Sequence, residues 1–265
     1  MCYPFDAQPP EAPGKKGEAG TEDLILTSGD GARFAAFAAK AANPSGPGVV
    51  VMPDVRGLFP FYKEFARGFA EQGINAVAID YFGRTAGTDV DKRPEDFAFM
   101  DHVAQTRAPQ ISSDVGAAVA YLRSPAGGLC TSIFTVGFCM AGSLSWVQAA
   151  NGHGLAGAIG FYGRPGPGRD GAPGPAGRAQ EMKAPILALM GGADQGIGPD
   201  QVQVLRDALQ AAGIEHEVIV YPGAPHSFFD RTYKEHAEAS ADAWRRVLDF
   251  IRSHQRVLAG SATNP

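Results

Sequence analysis

The sequence predicts an α/β protein built on one doubly wound, mostly parallel sheet with helices on both faces. Three observations carry that expectation. Segments of strand and helix character alternate along nearly the whole chain, with no internal repeat and no linker that would break it into domains. One segment, Gly48-Val-Val-Val-Met-Pro53, is continuously apolar, as a parallel strand buried on both faces has to be. Another, Ser132-Ile-Phe-Thr135, runs into a glycine, a cysteine and small residues that open a helix, which is how a central strand hands over to the helix behind it.

Taken in order, residues 1–20 are rich in Pro, Gly and charge and read as a flexible or loosely draped arm, with Tyr3 and Phe5 available to dock part of it. Glu22 to Thr27 and Arg33 to Ala39 are β-like runs around Ser28-Gly-Asp-Gly31, a hairpin at the sheet edge. After the strand at 48–53, Phe61 to Gln72 has helical periodicity, with Phe61, Phe65, Ala66 and Phe69 on one side and Gly73 as its stop. Ile74 to Ile79 is the next strand. A short helix is expected around Pro94 to Met100, and a longer one over Ser112 to Arg123 with Val115, Val119 and Leu122 apolar. The strand before Cys139, a helix over Met140 to Ala150, and a buried strand over Leu155 to Tyr162 follow.

Gly163 to Gly177 is almost entirely Gly, Pro, Arg and Ala, and is expected as an exposed loop near the strand ends. Ile186 to Met190 and Glu215 to Tyr221 are strands flanking a helix over Pro199 to Ala212. Lys234 to Val257 is a terminal helix with Trp244, Val247, Leu248 and Ile251 facing inward. The expected division is an arm at 1–20, one domain at 21–258 and a tail at 259–265.

Composition sets bounds on function. With 265 residues, 45% hydrophobic and 19% charged, the chain can bury a sizeable core. A net charge of -5 supplies no basic field, so neither nucleic acid nor an anionic membrane surface is expected as a partner. Cysteines at 2, 130 and 139 form no disulfide framework and no metal-ligand spacing, which fits a reducing compartment. The N-terminal residues lack a basic and then apolar leader, and no apolar run reaches the ~18 residues of a membrane span. A cytoplasmic protein is expected.

The stretch Thr135-Val-Gly-Phe-Cys-Met-Ala-Gly142 has the layout of a nucleophile elbow. There the chain turns so sharply from strand to helix that the central residue is pushed out of the sheet, and Gly137, Ala141 and Gly142 are small enough to let it. The thiol would point at the free N–H groups and positive end of the next helix, which favour a thiolate and an oxyanion. Alone, the motif suits a buried structural cysteine equally well. The residues after later strands decide the matter. Gly191-Gly-Ala-Asp194 follows one strand and Pro222-Gly-Ala-Pro-His226-Ser-Phe another, so cysteine, acid and histidine stand in the chain order of α/β-hydrolases, each at a strand's carboxyl end. The chemistry asks for these types. A thiol of pKa about 8.5 needs an imidazole to take its proton, and the imidazole needs a carboxylate to fix its tautomer. Asp194 also suits a plain turn, and the other five histidines fall on helices, a loop or a strand where surface roles are expected.

With these segments in view, the chain resembles the dienelactone hydrolase family. The resemblance lies in Gly-Phe-Cys139-Met-Ala-Gly, Met-Gly-Gly-Ala-Asp194, Pro-His226-Ser-Phe, Val-Val-Val-Met-Pro-Asp54-Val-Arg-Gly57 and Ala-Ile-Asp80-Tyr-Phe-Gly-Arg84, and covers about residues 22 to 255. It implies an α/β-hydrolase fold and hydrolysis of enol-lactones, of the kind that turns dienelactone into maleylacetate in the breakdown of aromatic compounds. A Cys139–His226–Asp194 triad would act without cofactor or metal. The resemblance further implies an oxyanion hole from the N–H groups of Met140 and Val55, and a carboxylate at position 54 that governs the thiol. The family usually has Glu there, and Asp54 is one methylene shorter. Arg56 beside it could pair with it and take it out of play.

A substrate carboxylate calls for arginine. Arg84 stands at the family's position for this role, and Arg231 is a second candidate one residue out of register. Tyr81 and Phe138, with Phe59, Phe61, Phe82, Tyr162, Phe228 and Phe229, could line an aromatic pocket, although aromatics in such places are more often core. The partner expected is a small-molecule lactone or ester, bound by a monomer or a homodimer. Two other readings stay open. One is a broader carboxylesterase or thioesterase on the same residues, and the other a non-catalytic binding or redox-sensing protein, against which the intact Asp194 and His226 argue.

Overall fold

The chain enters its sheet through a hairpin. In a computed structural model, whose described residues are 7–14, 16–94 and 96–255, strands β1 (Ala19–Thr27) and β2 (Arg33–Ala41) pair antiparallel, Leu24 opposite Ala36. Tyr3, Phe5 and the tail at 259–265 lie outside the described residues. The turn between the strands closes with the Gly31 N–H donating to Ser28 O at 2.9 Å. Strand β3 (Pro47–Met52) is buried along its whole length, and helix α1 (Pro60–Glu71) starts on a proline, whose missing N–H is no loss in a first turn. Strand β4 (Asn75–Ile79) follows.

The region from 80 to 110 carries more short helical pieces than the one helix expected around Pro94 to Met100. It holds a single helical turn α2 (Gly83–Ala86), a 3₁₀ turn at Val90–Lys92 and the short helix α3 (Phe99–Val103). Helix α4 (Ala108–Arg123) begins four residues earlier than the apolar periodicity indicates, because Pro109 and a side chain from elsewhere in the fold, Asp170, start it. Strand β5 (Ser132–Phe138), helix α5 (Met140–Gln148), strand β6 (Gly157–Phe161), a 3₁₀ segment (Ala176–Glu181), strand β7 (Ile186–Gly191), helix α6 (Pro199–Ala211), strand β8 (His216–Tyr221) and helix α7 (Ala237–His254) complete the chain.

The sheet order is β1-β2-β4-β3-β5-β6-β7-β8, and every pairing from β4 to β8 is parallel. This is the α/β-hydrolase arrangement, with β3 and β5 at its centre. Alternation along β5 sorts the two faces. Phe134, Val136 and Phe138 point into the layer made by α1 and α7, whereas Ile133 packs with α4. In the first layer Phe65 lies 4.7 Å from Trp244 and 5.1 Å from Phe138, centroid to centroid. Aromatic rings of this size, each contributing about 1.5–3 kcal/mol on burial, make this the heaviest part of the core. The Trp244 Nε1–H donates to Pro10 O at 2.8 Å, and the Gly17 N–H to Glu71 O at 2.7 Å, so Pro10 rests on α7 and Gly17 on α1 before β1 begins.

Asp80 fixes the loops at the carboxyl ends of β3 and β4. Its fully buried carboxylate accepts the N–H groups of Leu58 and Phe82, both at 3.0 Å, and pairs with Arg93 at 2.6 and 2.8 Å. Removing it would leave a guanidinium and two N–H groups buried without a carboxylate. Asp80→Ala is therefore expected to lower the unfolding free energy by about 3–5 kcal/mol, measured as a lower urea midpoint with an unchanged slope.

Candidate active site

The carboxyl ends of the six parallel strands lie along one rim, and residues that follow several of them meet there. Cys139 comes directly after β5 and has φ 56° and ψ −117°, a left-handed conformation that a side chain rarely takes. Position 137 permits it. A Cβ there would stand 1.9 Å from the Ala141 carbonyl oxygen, so any residue but glycine would force the turn open. Gly142 does the same for the neighbouring strand, since its Cβ would lie 2.5 Å from Phe161 O. The Cys139 N–H donates to that same Phe161 oxygen at 3.0 Å, which ties the turn to β6. Helix α5 starts at the next residue, and its first-turn N–H groups have no carbonyl within their own helix.

Asp194 follows β7 on the turn Gly191-Gly-Ala-Asp194. Its Oδ1 accepts the N–H groups of Gly196 at 2.8 Å and Ile197 at 3.2 Å, and its Oδ2 meets His226 Nδ1 at 2.6 Å. Burial works to raise the Asp194 pKa, but the His226 hydrogen bond and charge, helped by the two N–H groups, bring it below the usual carboxylate range. His226, on the loop after β8, faces Cys139 with its other side. Burial works against charge on this imidazole, yet hydrogen bonds to Asp194 and to Cys139 outweigh it and hold the pKa up to about 10. A charged imidazolium beside a thiol is the surrounding in which reactive cysteines occur.

Tyr162, immediately after β6, completes the group. Its ring lies 4.8 Å from that of His226, and its hydroxyl donates to Asp230 Oδ2 at 2.7 Å. Burial lifts the Asp230 carboxyl to about 6, although the Arg231 N–H and the Tyr162 hydroxyl both favour its charged form. Tyr162, at φ 40°, and Ser227, at φ 62°, are left-handed like Cys139, so backbone strain collects at this rim.

Above the sulfur lies a cavity of about 570 Å³, lined by Cys139, His226, Tyr162, Met140 and Val55 at its floor. Its walls come from the start of α4, the outer side of α5 and the Gly/Pro-rich segment 164–175. Met140 and Val55 thus share the cavity with Cys139, as an oxyanion hole needs. Among the described residues no cluster of three or more His, Cys, Asp or Glu is arranged to hold a metal ion, and no helix is long and apolar enough to cross a membrane.

Residues 34–255 match the dienelactone hydrolase family. The chain belongs to that family. Over 240 residues it is 31% identical to a candidate carboxymethylenebutenolidase of Escherichia coli strain K12, covering 87% of this chain and 85% of that one. It is 29% identical to the carboxymethylenebutenolidase of Pseudomonas putida, covering 87% and 96% of the two chains. Among solved structures, that of a candidate dienelactone hydrolase from Klebsiella pneumoniae superposes with a TM-score of 0.79 at 26% identity, over 89% of this chain and 99% of that one.

Within this dienelactone hydrolase frame, several expected site residues stand elsewhere. Arg84 does not line the cavity. Its Nη1 and Nη2 each donate to the fully buried Asp114 carboxylate at 2.8 Å, and Nη2 also reaches Ser28 Oγ and Asp30 Oδ2 at 2.8 Å. The Asp114 hydrogen bonds hold this guanidinium charged, and a substrate would have to displace two carboxylates to reach it. Arg231 is exposed beyond the His226 loop and also misses the cavity. Asp54 turns back on its own chain. Its oxygens accept Arg56 N and Nε, both at 3.0 Å, and Nη2 at 2.5 Å, so the pairing left open above is the one formed and the carboxylate faces Arg56, not the cavity. Tyr81 is buried with its hydroxyl on Pro53 O, and Phe138 is fully enclosed between α1 and β6. Of the aromatics named from the sequence only Tyr162 reaches the cavity.

Other lining residues had no signal in the chain order. Leu144 and Val147 fall in the helix expected over Met140 to Ala150, Val103, Arg107 and Ile111 between the two helices expected before it, and Arg164 and Arg169 in the expected Gly/Pro-rich loop. Asp230 was within sight, four residues after His226.

Two outcomes are expected. Arg84→Gln leaves Asp114 buried without its partner, and should cost about 3–5 kcal/mol of stability in chemical denaturation. Asp230 retains a proton up to about pH 6 in the fold, whereas an unfolded aspartate releases it near 3.8. Wild-type stability should therefore fall as pH rises from about 4 to about 6. Asp230→Asn should lack that fall, a relative gain on the order of 3 kcal/mol read from denaturation curves at the two pH values.

Proposed function

We propose that the protein hydrolyses a lactone or ester through a thioester on Cys139. The observation that carries the reading is the grouping at the rim: a strained cysteine at a helix start, an imidazole lining the same cavity, and Asp194 Oδ2 at 2.6 Å from His226 Nδ1. In this reading the Cys139 sulfur, its proton on His226, attacks the carbonyl carbon. The N–H groups of Met140 and Val55 hold the oxyanion. The intermediate collapses by expelling the alkoxide or enolate, which takes the proton from His226, and an acyl thioester remains. His226 then removes a proton from water, the hydroxide attacks the thioester, and the thiol leaves with that proton while the acid is released. Asp194 keeps Nδ1 protonated throughout, so that Nε2 is the nitrogen that exchanges protons with sulfur, leaving group and water.

Membership of the dienelactone hydrolase family, and relatives named for carboxymethylenebutenolidase activity, support enol-lactones as the substrate class. One observation favours a broader carboxylesterase or thioesterase on the same residues. Arg84, which stands at the family's position for a substrate anion, is bound to two carboxylates of its own chain.

Cys139→Ala is expected to reduce hydrolysis of both dienelactone and p-nitrophenyl butyrate by about 10³-fold or more, with the melting curve close to that of the parent. Asp194→Asn should lower kcat with little change in KM. Full activity in Cys139→Ala would end this reading, and the ratio of the two substrates' kcat/KM values in the parent chooses between lactonase and general esterase.

A further inference from the structure

The cavity over Cys139 follows one face of α5. Met140, Ser143, Leu144 and Val147 all line it, and their spacing at i, i+3, i+4 and i+7 is that of side chains stacked along one side of a helix. Seven residues at the helical rise carry Val147 about 10 Å along the axis from Met140, or about two turns past the residue that follows the nucleophile. Val147 is 7% exposed, yet among the described residues it belongs to none of the apolar clusters of the core. Its helix neighbours do: Trp146 joins residues of β7 and α6, and Ala141 joins those of α4. Val147 is an enclosed apolar side chain whose place is in the cavity wall.

The lining residues that are buried, Val103, Ile111, Val147, Tyr162, Gly174 and Pro175, bring no charge into the cavity. The Tyr162 hydroxyl is already engaged by Asp230. Arg107, Arg164 and Arg169 also line the cavity, but each is an exposed residue, and Arg107 uses Nη1 on the carbonyl oxygens of Ala104 and Thr106. The Gly/Pro-rich segment is fastened where it covers this space. Asp170 Oδ2 accepts the Ala108 N–H at the start of α4 at 2.9 Å, and the Ala176 N–H donates to Pro165 O at 3.1 Å. A chain lying along α5 would thus be taken out of water.

Sheet order says which part of a substrate goes there. The loop carrying His226 comes from β8 at one edge of the sheet, whereas α4 packs over β3 and β4, so the two approach Cys139 from opposite sides of β5. A leaving group has to stand by His226, from which it takes its proton. The acyl part then falls on the side of α4 and α5. We infer that the part of the cavity along Leu144 and Val147, with Ile111 and Val103 in its wall, binds an extended, uncharged acyl chain, and that the preferred substrates are esters of medium-length acids. The inference deepens the hydrolase reading and rests on it for the position of the scissile bond. A cavity of about 570 Å³ is in the range of sites that enclose drug-sized ligands, which gives such a chain room.

The test measures kcat/KM on 4-nitrophenyl butyrate and 4-nitrophenyl octanoate, and binding of butyramide and octanamide by calorimetry. Each methylene moved from water onto these walls contributes up to about fourfold, so wild type should favour the longer member of each pair by about tenfold or more. Val147→Phe, which fills the far part of the cavity, should lose about tenfold of that preference. Val147→Ala should keep it and extend it to 4-nitrophenyl decanoate, whereas damage to the fold would move both variants alike. Leu144→Trp repeats the block at a half-buried position, and Val204→Phe, exposed on α6, should keep the wild-type ratio. Turnover of both esters with a wild-type ratio near one, or with a ratio unchanged in Val147→Phe and Leu144→Trp, overturns the chain site and leaves the hydrolase reading standing. Tighter binding of octanamide that is lost in Val147→Phe, without turnover of either ester, upholds the chain site and removes the hydrolase reading. Neither turnover nor a preference between the amides overturns both.

Discussion

The turn at Cys139 is the constraint on which the site depends. A strand that must place a thiol above the sheet has one residue in which to do so before α5 begins, and the 1.9 Å between a hypothetical Cβ at 137 and the Ala141 oxygen measures how tight the manoeuvre is. A left-handed cysteine costs on the order of 1–3 kcal/mol. The surrounding packing supports it: Trp146 of α5 sits fully buried with its Nε1–H on Leu187 O at 3.0 Å, and the Cys139 N–H is held by β6. Strain at Tyr162 and Ser227 is held in the same way, by the Tyr162 N–H on Leu189 O and by the enclosed rings of Phe228 and Phe229.

A second regularity is that buried carboxylates near the rim are nearly all partnered by cations from the same neighbourhood. Asp80 has Arg93, Asp114 has Arg84, Asp54 has Arg56, and Asp194 has His226. Three of these pairs brace loops, because a guanidinium in a two-point contact fixes both partners' orientation, whereas the fourth leaves a proton carrier next to sulfur. Asp230 differs. Its side-chain partner is the neutral hydroxyl of Tyr162, and burial raises its pKa to about 6 against the Arg231 N–H, that hydroxyl and the charge of Arg56.

Much of the fold is legible in the order of residues. The apolar runs at Gly48–Pro53 and Ile186–Met190, the period of Phe61, Phe65 and Phe69, and the inward set of Trp244, Val247, Leu248 and Ile251 each follow from backbone periodicity and burial, which are local properties. The segment between 80 and 110 was less readable. Its short helices have few apolar positions of their own, and they are placed by Asp80, Arg93 and the ring of Phe82 against Phe97. The start of α4 was misplaced for a similar reason, since its first N–H is capped by a side chain 62 residues further on.

The same division runs through the site. Sequence by itself determined the α/β architecture, the cysteine between small residues, and the acid and histidine after later strands, because each depends on a short stretch of chain and on the rule that parallel strands end at one rim. Only the tertiary structure decided which charges face the cavity. Arg84, Arg56 and Asp54 carry the right chemistry but are paired within the fold, whereas Arg164 and Arg169 come from a stretch without periodicity and line the cavity. Whether a side chain meets its own protein or a ligand depends on which opposite charges lie within a few ångströms, and that distance is fixed by folding and is invisible in the spacing of residues along the chain.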